Sequence, residues 1–545
     1  MRRSGSYLSE RQYAFDDREG YDTGRYEYWE KMFGEKSFQS MLKHCQEFQG
    51  YLKQLPYHLK EENKKRTKSE SGGLMEYIES SSASGRQVSF TGFGTELLRG
   101  RLSGYCEFFS ENLSSDFSNH LNQQLQTVYL RTFILNLHES KGKGLLKGKD
   151  AKEEYEYFCS RIAGDAEYVT ALFEQYPVLY RCMEKKIGQM VDFYEEIFCF
   201  FKQDREEICK KLCKGREIRR IVKISGSFSD LHNQGKQVLK IRLDDGTDIL
   251  YKPHSMENEE SYQRLLRWLA DMTGLTQYDY PFLSYENHSW SSIVRYQTCK
   301  SEMELERYYR RLGVHIFLAY LLGTKDLHSE NVIASGEYPV LIDLETLVNI
   351  TFNRKRATAN EEICYQLAQS VLYTGLLPFY SWNYNGNGIN SSAISGIEGQ
   401  VYPFKVPRIK NAGTSDIYID YCYPESGKDE NLATVNGKFQ SPSGYRMELL
   451  EGFKGAYQAV LGKKKEFSAM LEELRETKSR FLLADTQRYA MLLAGSYHPS
   501  LLKDGADREL FLWTMWMGRS EKEKNIIKSE VKDLLDGDVP YFSYR

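Results

Sequence analysis

Up to residue 215, hydrophobic side chains recur at helical spacing. Phe38, Met41 and Leu42 form one set, Tyr155, Tyr157, Phe158 and Ile162 another, and Met190, Phe193, Tyr194 and Ile197 a third. This pattern predicts a mostly helical region over 1–215, interrupted by exposed loops at Ser69 to Gly73 and Lys141 to Asp150. From residue 217 the period shortens. Ile218 to Ile224 reads as a strand, and Val238 to Leu243, the Asp244-Asp245-Gly246 turn and Ile249 to Tyr251 read as a hairpin. Ser255 is a candidate cap for a helix over Met256 to Met272, with Glu257, Glu259 and Glu260 in the first turn where the helix dipole favours acid.

A strand fits Ser291 to Tyr296. A helix with Leu305, Tyr308, Leu312, Ile316 and Ala319 on one face follows, ending at Gly323. Val332 to Ala334 and Val340 to Ile342 flank the Gly336-Glu337-Tyr338-Pro339 turn as a second hairpin. Residues 353–440 lack periodicity and are rich in Gly, Asn and Ser, as a functional loop or mobile segment would be. Helical signals return after 445 and persist to about Leu535. The fold class expected is α+β, divided into 1–215, 216–300 and 301–545.

Composition narrows the function. The 545 residues carry 73 Lys+Arg against 76 Asp+Glu, a net charge of −3, which argues against a dedicated nucleic-acid binder. Tyr is abundant at 40 and Pro scarce at 12, favouring long helices and stacked or peptide-binding surfaces. The start, Met-Arg-Arg-Ser-Gly-Ser-Tyr-Leu-Ser-Glu, has no apolar core resembling a signal peptide. The apolar stretch Gly313 to Gly323 is too short to span a membrane, so a cytoplasmic protein is expected. The 10 cysteines form no CxxC pair and read as reduced core thiols, with Cys209 and Cys213 stacked on one helix face.

The strongest chemical cluster is Asp326-Leu-His328-Ser-Glu-Asn331, followed after the hairpin by Asp343-Leu-Glu345. A carboxylate that orients a hydroxyl, with amide and carboxylate oxygens that bind Mg²⁺, suits phosphoryl transfer. Lys252 in Tyr251-Lys252-Pro253, ending a strand, is placed to neutralise ATP phosphates. Each piece alone is weak; their order along the chain favours a kinase-like site. No glycine loop of the P-loop NTPase type is present. Phe228-Ser-Asp230-Leu-His232-Asn-Gln-Gly235 stands where a kinase-type fold covers its nucleotide, yet has one glycine and two acid–base groups. Arg480 and Thr486, six apart, would not share a helix face, and spacing alone makes them structural.

Together Asp230-Leu-His232, Tyr251-Lys252-Pro253, Asp326 to Asn331, Asp343-Leu-Glu345 and Arg480 to Thr486 resemble the dehydratase domain of class II lanthipeptide synthetases, the LanM type. Asp536-Gly-Asp538-Val-Pro540-Tyr-Phe542 resembles the end of that domain's helical region. The resemblance covers residues 200–545 well. It implies a lipid-kinase-like two-lobed core with family-specific helical additions, ATP and Mg²⁺ as cofactors, and a leader-bearing precursor peptide as substrate. In that reading a Ser or Thr of the peptide is phosphorylated and the phosphate eliminated in the same site. Lys252 would hold ATP phosphates, Asp326 would orient or deprotonate the hydroxyl, and Asn331 and Asp343 would hold Mg²⁺. His328 and Glu345 belong to the same group, while Asp230, His232, Arg480 and Thr486 match positions associated with elimination. Arg480 suits a departing phosphate because its fork binds bidentately, and either His232 or Asp230 could move the proton.

Family members commonly continue into a zinc-dependent cyclase domain. After Cys422 this sequence has no cysteine and only His498 as a soft ligand, so no such zinc site and no ring formation are expected here. The expectation is a stand-alone dehydratase, a fragment of a longer protein or a degenerate copy. Retention of every matched position weighs against the last. A separate cyclase would then be a partner. Two rivals remain in view: a peptide kinase without elimination, and a scaffold gripping a leader peptide with its Tyr-rich N-terminal helices.

Overall fold

In the computed structural model, which describes residues 5–13, 21–60, 73–226, 229–349, 356, 358–383, 385–395, 398–427 and 430–544, helices dominate and the sheets are small. The fold class is α+β, as the change of period at residue 217 implies. Two long helices organise the N-terminal region: α1 (Leu113–Gly142) and α2 (Pro177–Lys211). Helix α2 starts with Pro at its first turn, where the missing N–H costs nothing, and ends with Lys210 and Lys211 against the carbonyl end of its dipole. Its face through Met183, Ile187, Met190, Phe193, Tyr194, Ile197 and Phe201 is buried.

That face packs on a five-stranded antiparallel sheet built from β1 (Ile221–Ser225), β2 (Leu239–Leu243), β3 (Asp248–Lys252), β4 (Phe282–Ser284) and β5 (Ser289–Ser292), in the order β1-β2-β3-β5-β4. Leu239, Ile241, Leu243, Ile249 and Tyr251 turn inward by the two-residue alternation of strands. Asp204 of α2 fixes the contact by accepting from His288 Nε2 at 2.7 Å and Trp290 Nε1 at 2.8 Å. The same hydrophobic core takes in residues from Tyr489 to Val539. Between β3 and β4 lies α3 (Glu257–Thr273), and after β5 comes α4 (Glu302–Leu322), capped by Ser301 and closed by Gly323 in the left-handed conformation. Helix α4 centres a second core with α3 and with the helix Arg446–Gly462. Strands β6 (Val332–Ser335) and β7 (Tyr338–Leu341) form the second hairpin.

Several expectations shift. The N-cap of α3 is Met256, although the Ser255 hydroxyl still accepts from Glu257 N–H at 3.1 Å. The strand foreseen at Ser291 to Tyr296 lies at Ser289–Ser292. Helix α2 stops at Lys211, so Cys213 lies beyond it and does not stack with Cys209 on its face. The ten thiols are free, but Cys106, Cys159 and Cys364 are exposed, not core. Gly73 opens a helix, Gly73–Ser84, whereas Ser69 to Gly72 and Phe228 lie outside the described residues.

The 353–440 stretch holds more order than its composition suggests. It contains a helix, Ala359–Ala368, and paired strands at Tyr380–Trp382 with Gly388–Asn390 and at Val406–Lys410 with Tyr418–Cys422. Its Asn and Ser side chains stand in for a hydrophobic pattern by bonding backbone: Asn383 Oδ1 accepts from the N–H groups of Asn385 and Asn387, and Asn431 Nδ2 donates to Ala393 O. The Val406–Lys410/Tyr418–Cys422 hairpin reaches α1, where Lys141 pairs with Asp416 at 2.7 Å and Ile417 packs beside Leu137. Among the described residues no helix is long and apolar enough to cross a membrane.

Helix α4 and Arg446–Gly462 cross at glycines. A Cβ on Gly313 would lie 2.1 Å from Leu449 O, and one on Gly452 1.8 Å from Arg310 O, both rigid backbone. Gly313→Ala should therefore destabilise the protein by about 3 kcal/mol through overpacking. Gly455→Ala, on the partner helix Arg446–Gly462 with open space around it, should stabilise by up to about 1 kcal/mol. Denaturant midpoints of the two variants check the contrast; equal midpoints would mean the helices are not in backbone contact.

Candidate active site

Between the sheet and the second core lies a cavity of about 970 Å³. Nine of the ten residues singled out by sequence line it: Asp230, His232, Asp326, His328, Asn331, Asp343, Glu345, Arg480 and Thr486. The tenth, Lys252, stands just behind the wall. Its ammonium is buried and donates to Ile342 O at 2.8 Å and to Glu259 Oε1 at 3.2 Å, and Glu259 is itself a wall residue. Burial alone would drive this lysine towards neutrality; Glu259, Asp343 and Glu345 outweigh it and hold the side chain charged.

The loop after α4 presents Asp326 with φ of +64°, a left-handed backbone that a non-glycine residue adopts at a cost. Its carbonyl accepts from Asn331 Nδ2 at 2.7 Å, which fixes the amide across the loop. His328 Nε2 lies 3.7 Å from Asp326 Oδ1. The Asp326 carboxyl is raised to about 6 by loss of bulk water, with Asp343 and Asp485 adding to the shift and His328 and Arg480 opposing it. Asp343, wholly enclosed, goes the other way: burial pushes it up, but Lys252, His254 and Arg480 prevail and keep it ionised. Behind the loop, Ser329 N–H donates to Ser391 O at 2.8 Å and Leu327 N–H to Thr374 O at 3.0 Å, so the 353–440 stretch supports it.

Opposite stand His232 and Arg480, brought together by the C-terminal segment 536–544. The turn Asn233-Gln234-Gly235 is left-handed throughout, with φ of +48°, +71° and +79°. Such a turn points successive N–H groups inward, and Asp538 takes two of them, Gln234 at 2.7 Å and Gly235 at 2.8 Å. Val539 then exchanges bonds with the loop, its N–H donating to Leu231 O at 2.8 Å and its carbonyl accepting from His232 Nδ1 at 2.7 Å. A few residues on, Ser543–Tyr544 pairs with the short strand Ser479–Arg480. Arg480 reaches Glu345 Oε2 and His232 Nε2, both at 3.3 Å, and lies over the Tyr541 ring at 4.9 Å.

Because Nδ1 donates to a carbonyl and Nε2 faces a guanidinium, His232 is the neutral tautomer whose Nε2 accepts from Arg480 at the cavity wall. Burial and Arg480 together lower it to about 4. Burial raises Asp230. Glu345 is also raised by burial, and it bridges Arg480 and His254, whose Nε2 lies 3.0 Å from Oε1. Thr486 opens the helix α5 (Thr486–Ser496), capped by Asp485. Arg480 and Thr486 therefore sit on a strand and a following helix, not on one helix. Their six-residue spacing, which already left room for a bend or loop between them, is resolved here as a strand, a short connection and a helix start.

Glu259, His254 and Tyr541 belong to this site and escaped the sequence reading. Glu259 looked like a dipole-favoured first-turn acid. His254 follows Lys252-Pro253 directly, and Tyr541 sits in the C-terminal motif; adjacency was the signal in both. The donor set fits a phosphate and a divalent ion. Arg480 Nε is buried without a hydrogen-bond partner, an unused donor suited to an anion. Asp343 and Asn331 offer hard oxygens, yet among the described residues no three His, Cys, Asp or Glu side chains cluster as metal ligands. A Mg²⁺ held by so few protein oxygens would depend on phosphate oxygens to complete its shell.

Comparison with known proteins follows the same lines. The family model described as a domain of unknown function (DUF4135) matches residues 176–545. The chain is 26% identical over 449 residues to a protein of Lactococcus lactis subsp. lactis named lacticin 481/lactococcin biosynthesis protein LcnDR2. That alignment covers 78% of this chain and 46% of the relative, so the chain spans about half the length of the curated protein it matches.

The Arg480 cation holds the His232 ring neutral alongside burial. In Arg480→Met the His232 titration should move upward from about 4 towards the ordinary histidine value near 6.5. Histidine ring NMR against pH, with His232→Asn for assignment, reads this directly; an unmoved titration would mean the guanidinium does not face the ring.

Proposed function

This chain belongs to the DUF4135 family, and on that premise we propose that it dehydrates Ser and Thr residues of a lanthipeptide precursor by phosphorylation followed by phosphate elimination. The observation that carries the reading is a single cavity lined by both residue sets, those suited to phosphoryl transfer and those suited to elimination. It is supported by the curated relative, named for the biosynthesis of lacticin 481, and by the Lys252–Glu259 pair. A strand lysine bound to a helix glutamate is a recurring device of kinase-type sites. A lipid-kinase-like core, ATP as phosphoryl donor and Mg²⁺ are parts of the same proposal.

In the first half-reaction Asp326 accepts the hydrogen bond of the Ser or Thr hydroxyl and takes its proton as the oxygen attacks the γ-phosphorus of ATP. Lys252 supplies positive charge beside the phosphates, and Asn331 and Asp343 would hold the divalent ion, which would screen phosphate charge. ADP leaves and a phosphoester remains. In the second, a base removes the Cα proton, the Cβ–O bond breaks, the carbon–carbon double bond forms and inorganic phosphate departs. Arg480, which lines the cavity and has an Nε donor without a partner, neutralises the departing phosphate. His232 is suited to the base role because its unprotonated Nε2 lies at the cavity wall, and Asp230 stands beside it with an upward-shifted carboxyl. Glu345 and His254 orient Arg480. The Thr486 hydroxyl can hydrogen-bond the phosphoester, and its place on the first turn of α5 puts phosphate near the positive end of that helix.

This division of labour separates the reading from a kinase without elimination. With leader-bearing peptide, ATP and Mg²⁺, the protein should remove one water per modified Ser or Thr. Arg480→Met and Thr486→Ala should instead accumulate phosphopeptide, and Asp326→Asn should lose both steps by at least about 100-fold. Mass spectrometry distinguishes these products; stable phosphopeptide from the unmodified protein would establish the simpler kinase. Because Asp326 must be ionised to accept the proton, phosphorylation should fall as pH drops through about 6. A phosphorylation rate flat from pH 7 to 5 would remove Asp326 from that role.

A further inference from the structure

A second cavity, about 460 Å³, opens beside the first on the other side of helix α5. Its walls are Phe404, Met491, Leu492, Met515 and Met517, with Asp485 at one end. Gln487, Arg488, Met491 and Leu492 fall on one face of α5 by helical spacing, while Thr486, at the start of that helix, lines the active cavity. The two cavities thus share one helix end. Asp485 closes the junction, lying near enough to Asp326 for its charge to act on that carboxyl.

Met491 is 55% exposed and Met517 39% exposed. Two exposed methionines over a buried third, Met515, form an apolar surface without cover, and thioethers accommodate many shapes without a fixed fit. From Thr486 to Met491 the helix rises about 7.5 Å. An extended peptide advances about 3.3 Å per residue. That rise matches about two residues of extended peptide counted from the one beside Thr486, so the groove falls within reach of the second to fourth flanking positions.

We propose that the methionine-lined groove is a subsite for an apolar side chain of the precursor peptide, about two to four residues from the Ser or Thr being modified. This rests on the peptide-dehydratase reading and deepens it. The groove gives the site a preference for apolar flanking sequence without demanding one residue type, which suits an enzyme that must process several positions of one peptide. The Asp485 carboxylate at the junction disfavours an acidic residue there.

The test uses the full chain and leader-fused, fluorescein-labelled peptides with one Ser, carrying Leu or Asp at the second, third and fourth flanking positions. Binding by anisotropy and, separately, kcat/KM for dehydration are measured. The Leu peptide should bind about tenfold more tightly than the Asp peptide at one of those positions, the order of discrimination one buried aliphatic group provides. Met491→Asp or Met517→Asp, both surface changes, should abolish that preference while leaving thermal melting and turnover of a Ser/Gly-flanked peptide intact. Equal affinities in the unmodified protein would overturn the proposal, as would a preference surviving both substitutions. Loss of self-association in Met491→Asp with the peptide preference unchanged would overturn it in favour of a second copy covering the groove. Should no peptide be phosphorylated or dehydrated while the Leu preference remains and is lost in the variants, the functional reading falls and the groove stands. Should dehydration proceed without any preference, the groove alone falls.

Discussion

The carboxylate of Asp538, seated in the left-handed turn Asn233-Gln234-Gly235, is the contact on which the site depends. Two N–H groups closing on one carboxylate make a strong, directional clamp. Burial pushes the Asp538 carboxyl up, and Lys186, buried and adjacent to Gly537 O, opposes that push. From this anchor the backbone runs through Val539, which orients His232, past Tyr541, which stacks on Arg480, to Ser543, which pairs with the strand that carries Arg480. The histidine and arginine come from segments 248 positions apart, and their contact follows from this shared segment.

Around that frame the charges are arranged in opposition. Lys252, Arg480 and His254 face Asp343, Glu345 and Glu259 at close range in a largely enclosed space. Such a network is costly to bury, and its members are held by hydrogen bonds to each other and to backbone. The outcome is a division of protonation states: Asp343 stays ionised, Asp326 moves to about 6 and His232 remains neutral. Asp326, ionised above about 6, and His232, unprotonated at neutrality, are separate proton acceptors in one cavity, as consecutive transfer and elimination steps would use.

Much of this was legible in the sequence, for definite reasons. The helix of Met190, Phe193, Tyr194 and Ile197, the hairpin around Asp244-Asp245-Gly246 and the helix stop at Gly323 rest on local periodicity and turn chemistry, which survive folding unchanged. The cluster from Asp326 to Glu345 was visible because its members are close in sequence. Arg480 and Thr486 were invisible to spacing, since a strand and a helix cap are joined there within seven residues, and only the resemblance to a family drew attention to them. Glu259 was noticed for its place in a helix dipole, while its bond to Lys252 is tertiary. Residues 353–440 hold order that the sequence pattern does not register, because Asn and Ser side chains supply it through bonds to backbone.

The bond between His232 and the Val539 carbonyl spans 307 positions of chain. Closing so large a loop carries an entropy cost that must be met before the contact rewards it, and contacts of long sequence separation slow folding. Helical and sheet cores can therefore be in place while the reacting groups are still apart. An incompletely folded molecule would have native-like secondary structure and yet no assembled centre, so recovery of turnover after denaturation should trail recovery of helical signal.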